Sequence, residues 1–116
     1  MVGSKAELQK GYDAVSDILK WQVYEISSGS SSLNGVMLRG RIRKFGLENG
    51  INVLAENTED AENGVRFATL DIESGKRISK YVKSVIADGV IHLVQENLPN
   101  PVLSKLKINK EERYTL

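Results

Sequence analysis

The chain contains no cysteine, which excludes a disulfide framework, a thiolate zinc site and a cysteine nucleophile. It has a single histidine, His92, so no site can rest on several imidazoles. Only two prolines occur, Pro99 and Pro101, both in the segment NLPNP, where they mark a turn because neither can donate to a central strand ladder. Neither sign of charge dominates: sixteen Lys and Arg stand against fifteen Asp and Glu, a net charge of +1. No whole-chain field therefore marks a nucleic-acid or membrane-surface binder, and any basic site must be local. No apolar run is long enough to cross a bilayer. The opening segment MVGSKAELQKGYDAVSDILKW also lacks the unbroken apolar core of a signal peptide. These absences predict a soluble, cytoplasmic chain with no membrane partner.

What is present is ordinary globular composition: 41% hydrophobic and 27% charged residues in 116, enough for one core and too few for two. The sequence reads as one domain, 1–116, in three stretches: an N-terminal helix and short strand over 1–26, a Ser/Gly-rich connection over 27–35, and the remainder over 36–116. Ser4-Lys5-Ala6-Glu7 has the form of a capping box. Leu8, Tyr12, Val15 and Leu19 then recur at helical spacing, which predicts an amphipathic N-terminal helix. WQVYEIS, Trp21 to Ser27, reads as a strand, and SSGSSS over 27–32 reads as a flexible tether by composition.

Asn-Gly occurs three times, at Asn34-Gly35, Asn49-Gly50 and Asn63-Gly64, each followed by an apolar, strand-like run. Asn and Gly tolerate the positive φ of tight hairpin turns, so these pairs predict a three-stranded meander from GVMLRGRIRKF through INVLAEN to VRFATLDI. Leu38, Ile42 and Phe45 would share a face if the first run were helical, but Gly40, Gly46 and the alternating arginines favour a strand. Ile78, Tyr81, Val82, Val85 and Ile86 predict a second helix ended by Gly89, and VIHLVQE and VLSKLKIN predict two more strands. The expected fold is α+β: the N-terminal amphipathic helix, a curved, mainly antiparallel five- or six-stranded sheet, and one further helix. Three strands, a helix and two strands is the element order of an OB-like small barrel. A ferredoxin-like α/β sandwich is the alternative.

Two short stretches carry family resemblances. GLENGINVLAENTED resembles the Sm-like hairpin, with Glu48 in place of that family's Asp and Ile51-Asn52 matching its Met-Asn pair. The resemblance implies an RNA-base contact at Asn52. ENTEDAENGVRFATLD followed by a helix resembles the second half of an acylphosphatase, with Asn57 at the place of the catalytic Asn. That family's glycine-rich phosphate loop with its Arg has no counterpart between Arg43 and Ile51.

The candidate site is the alternating run Arg39, Arg41 and Arg43, bracketed by Met37 and Phe45. On a strand, alternate side chains stand about 7 Å apart, near the spacing of phosphates along an extended single strand, and an aromatic ring beside them could stack on a base. Lys44 and Arg66 extend the patch. The competing reading is a solvated strand face on which the arginines pair with Glu48 and Glu56. The oxygen-rich loop from Glu56 to Asn63 could attract a divalent cation but matches no EF-hand spacing. His92 has no orienting partner visible in sequence, the Ser30-Ser31-Ser32 run lacks a nucleophile elbow, and GKR at Gly75 to Arg77 does not complete a phosphate-binding P-loop. No catalytic residue, metal ligand or cofactor is expected. The expected function is a small non-enzymatic protein that binds single-stranded RNA or DNA. The alternatives are a protein–protein interaction or assembly module that forms a homo-oligomer, and a degenerate acylphosphatase-like protein.

Overall fold

The computed structural model describes residues 18–59 and 63–106, together with the backbone of 114–115. The expected N-terminal helix lies outside the described residues. The elements run β1 (Lys20–Ser27), α1 (Leu38–Asn49), β2 (Val53–Asn57), β3 (Val65–Thr69), α2 (Ile72–Val85), β4 (Val90–Pro99), a 3₁₀ turn (Leu103–Lys105) and β5 (Tyr114–Thr115). Four strands make an open antiparallel sheet in the order β2-β3-β1-β4, and the two-residue β5 pairs with His92 and Leu93 on the outer edge of β4. Both helices pack on one face. This β-α-β-β-α-β order, with β1 between β3 and β4, is that of a ferredoxin-like split β-α-β sandwich.

The fold corrects the expected five- or six-stranded small barrel, and one segment is responsible. Val36–Phe45, read as the first meander strand, contributes instead to α1. Leu38, Ile42 and Gly46 are buried and Phe45 is half-buried, which is the i, i+4, i+7, i+8 stripe of a helix lying on a core. Gly46 lets α1 approach β2, since a Cβ there would sit 2.4 Å from Val53 Cγ1. Asn49-Gly50 then serves as a helix stop: Gly50 takes a left-handed φ of 67° and Ile51 N donates to Gly46 O. Of the three Asn-Gly pairs only Asn63-Gly64 lies in a β-hairpin, between β2 and β3, with Asn63 at φ 55°. Asn34-Gly35 lies in the turns that lead into α1.

Two further expectations shift. VRFATLDI stops as a strand at Thr69, because Asp71 caps α2 by accepting from Ser74 N, so α2 begins at Ile72. VLSKLKIN contains a 3₁₀ turn at Leu103–Lys105, and its last residues lie outside the described ones.

The main core lies between the sheet and the helices. Tyr24 and Ile26 of β1, Val65 and Phe67 of β3, and Ile91 and Leu93 of β4 meet Leu38 and Ile42 of α1 and Ile78 and Val82 of α2. Each such side chain contributes about 1.5–3 kcal/mol on burial. Tyr24 and Phe67 stack with centroids 4.7 Å apart. Gly75 admits the Tyr24 ring beneath the first turns of α2, where a Cβ would lie 2.0 Å from Tyr24 Oη. That hydroxyl is buried without a hydrogen-bond partner. Burial raises its pKa, with the Thr69 hydroxyl pulling the other way. Thr69 Oγ1 itself donates to Asp71 O at 2.7 Å.

The second sheet face carries Val23, Ala68 and Val94, covered by Leu103. Across it runs a line of ionisable side chains, in which Glu56 pairs in register with Arg66, Arg66 with Glu25, and Glu25 with His92. Arg66 Nε donates to Glu25 Oε1 at 3.1 Å, and its NH1 donates to Leu103 O at 2.8 Å. At the sheet edge Arg43 donates to Ala55 O, which blunts the open side of β2.

Candidate nucleic-acid interface on the helical layer

The arginine run expected on a strand face sits on α1, where a period of 3.6 redistributes it. Arg39 and Arg43, one turn apart, both reach Glu56, at 3.7 Å and 2.8 Å. All three side chains are nearly half exposed, so these ion pairs contribute about 0–1 kcal/mol each. Arg41 stands apart from them and donates from Nε to Val36 O at 2.8 Å. Lys44 and Asn52 are exposed, Lys44 on α1 and Asn52 in the connection to β2. Arg66, expected to extend the patch, is fully buried on the opposite side of the sheet and takes no part in a surface. The predicted row is therefore broken up: Arg41, Lys44 and Phe45 remain together on α1, and Arg39 and Arg43 are turned to the β2 edge.

The structure adds α2 to them. Phe45 stacks on Tyr81 with centroids 4.4 Å apart and planes at 18°. The two rings join the helices, and a groove of about 440 Å³ beside them is lined by Phe45, Arg77, Lys80, Tyr81 and Ser84. Lys76, Arg77, Lys80 and Lys83 are all exposed on α2. None of Lys76, Arg77 and Lys80 forms an ion pair among the described residues. In sequence Lys76, Lys80 and Lys83 read as the solvated side of an amphipathic helix and Tyr81 as part of its apolar stripe. The signal for them was the lysine spacing 76, 80, 83, but nothing in the sequence placed that stripe beside α1.

Together the two helices hold eight of the sixteen Lys and Arg and two of the fifteen Asp and Glu. Their net charge is +6, and the rest of the chain carries −5. All eight cations are exposed. The near-neutral total thus conceals a strongly basic layer on one side of the sheet.

At one end of the sheet the connection between β1 and α1 is knitted down, where residues 27–32 read by composition as a flexible tether. Asp88 accepts from Ser28 Oγ at 2.7 Å, from Ser30 Oγ at 2.7 Å and from Ser30 N at 3.1 Å. The Ser28 hydroxyl, then the Ser30 hydroxyl, hold the Asp88 carboxyl below its usual pKa range. Asn63 closes the other side: its Oδ1 accepts from Leu33 N, and its Nδ2 donates to Ser28 O and Ser31 O. Ser31 N and Gly35 N bond to Ser28 Oγ and Ser32 Oγ. The chain's own oxygens take these loop N–H groups, so they form no cradle for a phosphate. Asn57, singled out by the acylphosphatase resemblance, ends β2 opposite Val65 and is half-buried.

Among the described residues no group of three or more His, Asp or Glu is placed to hold a metal ion. Glu56 of the oxygen-rich loop is turned to Arg39 and Arg43, and residues 60–62 lie outside the described ones. His92 lies on the second sheet face across from Glu25. No described helix is long and apolar enough to cross a membrane. Of the stripe Leu8, Tyr12, Val15 and Leu19, which together with open sheet edges is the basis of the assembly reading, only Leu19 is among the described residues, exposed and outside any helix. No family model, curated protein or solved structure matches the chain.

Proposed function

We propose that this protein is a non-enzymatic nucleic-acid-binding module that grips the phosphate backbone with its helical layer. The observation that carries the reading is the segregation of charge: eight exposed cations and two acids on the two helices of a chain whose total charge is +1. A patch of one sign attracts a polyanion irrespective of total charge, because fields from exposed groups decay over about 10 Å at ordinary ionic strength. Arg39 and Arg43 are partly neutralised by Glu56. Arg41, Lys44, Lys76, Arg77 and Lys80 remain as phosphate contacts, with Lys83 extending the stripe.

Five such contacts correspond to a slope of about −3.5 in log affinity against log salt for a single strand, and about −4.5 for a duplex. The test is fluorescence anisotropy of a labelled oligonucleotide across a salt titration. Lys76→Ala should weaken binding uniformly across sequences and make the slope shallower by about 1. Absence of binding at about 50 mM salt, where such contacts are strong, would overturn the reading. So would binding indifferent to Lys76→Ala and Lys44→Ala together.

A further inference from the structure

We infer that the groove between α1 and α2 is a nucleotide subsite that seats one unpaired base against the Phe45–Tyr81 stack and its phosphate on Arg77 and Lys80. This inference rests on the nucleic-acid reading above and specifies which form of nucleic acid the layer selects. Two aromatic rings joining two helices usually disappear into a core. Here both are only half-buried, and they form one wall of an open groove of about 440 Å³. That volume lies within the range of about 300–1,000 Å³ typical of small-molecule sites.

The lining is divided as a nucleotide is divided. Phe45 and Tyr81 supply apolar π surface, which accepts any base because every base has a π face. Arg77 and Tyr81 are one helical turn apart, and Lys80 adjoins Tyr81, so cationic heads stand on the rim beside the rings. Arg77 and Lys80 have no ion pair among the described residues. Ser84 adds a polar edge: its hydroxyl donates to Tyr81 O at 2.5 Å, which leaves oxygen lone pairs free to accept from an exocyclic amine. Arg41 precedes Phe45 by one turn on α1 and continues the phosphate path out of the groove.

A base within a duplex is stacked on both faces and cannot enter this groove without being flipped, which costs a few kcal/mol. The layer therefore holds duplexes by charge alone and single strands by charge and stacking together. The test compares anisotropy titrations of a single-stranded oligonucleotide and its duplex of equal length. Two variants are used: Tyr81→Leu, which removes the ring, and Ser84→Leu, which plugs the groove from an exposed position. Each should weaken single-strand binding about 5- to 150-fold with the salt slope unchanged, and duplex binding should not change. If both variants bind single strands as tightly as the parent while Lys76→Ala still weakens binding, the groove inference falls and the nucleic-acid reading stands. If no oligonucleotide binds the parent protein, both fall.

Discussion

Arg66 is the largest fully buried side chain among the described residues, and its partner Glu25 is buried beside it on the second sheet face. Arg66→Met removes the guanidinium and leaves the largely buried Glu25 carboxylate without its ion-pair partner. Breaking a buried pair in this way costs about 3–5 kcal/mol. That is a large part of the roughly 5–15 kcal/mol that holds a domain folded. Arg66 also donates to Leu103 O, so the substitution loosens the 3₁₀ turn that covers Val23, Ala68 and Val94. At about 4 °C per kcal/mol for a domain near 100 residues, Tm should fall by about 12–20 °C. Glu25→Leu alone should cost a similar amount, by leaving the buried Arg66 charge without its carboxylate. The double variant Glu25→Leu with Arg66→Met removes both charges and should lie well above either single variant, because an apolar pair of similar volume replaces them. Urea denaturation of all four proteins gives the coupling energy directly. A cost below about 1 kcal/mol for Arg66→Met, or strictly additive single effects, would refute the assignment of this pair as a buried, coupled ion pair.

Gly75→Ala should destabilise the fold even though alanine is the better helix former by about 1 kcal/mol, since its Cβ would lie 2.0 Å from Tyr24 Oη and 2.3 Å from Tyr24 Cζ. The expected net loss is about 1–2 kcal/mol by thermal denaturation, and adding Tyr24→Phe should restore part of it; a stabilised Gly75→Ala variant would contradict the packing described. The Asp88 carboxyl is held below its usual 3.8 chiefly by the Ser28 and Ser30 hydroxyls. Its contribution to holding the Ser-rich connection is therefore complete above that value and lost as pH falls through the depressed pKa. An NMR titration of the Ser30 amide should show this transition, and the transition should be absent in Asp88→Asn; identical titrations in both proteins would contradict it.

Much of the core was legible, and the errors share one physical origin. The strand Trp21 to Ser27 and the helix stripe Ile78, Val82 and Ile86 could be read because each has a single period that packing then confirmed. Residues 36–45 satisfied two periods at once. The arginines alternated and the apolar residues Leu38, Ile42 and Phe45 fell every three to four, and it was the apolar set that met the sheet. Burial decides such conflicts, and the position of a charge carries little weight against it. The same error moved the candidate site. Arg39, Arg41 and Arg43 read as basic surface residues in sequence, but Lys76, Arg77 and Lys80 are more than thirty positions away, and the contact that sets their helix against α1, Phe45 on Tyr81, has no sequence signal. Arg66 was misassigned because alternation along β3 leaves open which face is covered, and the cover comes from Leu103. The Ser-rich connection was misread from composition, because Asp88 and Asn63, which pin it, lie far along the chain.

The position of β1 in the middle of the sheet sets a timetable for folding. Its two neighbours are β3 and β4, and Lys20 lies opposite Pro99, seventy-nine positions apart. The strand that anchors the sheet can therefore acquire its full complement of hydrogen bonds only after the chain has been made as far as β4. Closing such long loops makes contact order high for a domain of this size, so refolding should be slower than in a helical bundle of equal length. Until β4 arrives, β3 holds one edge of β1 and the other edge stays unpaired. A ribosome-bound chain stalled before Val90 would present that unfinished edge, a row of unpaired backbone N–H and C=O groups, to whatever is nearby.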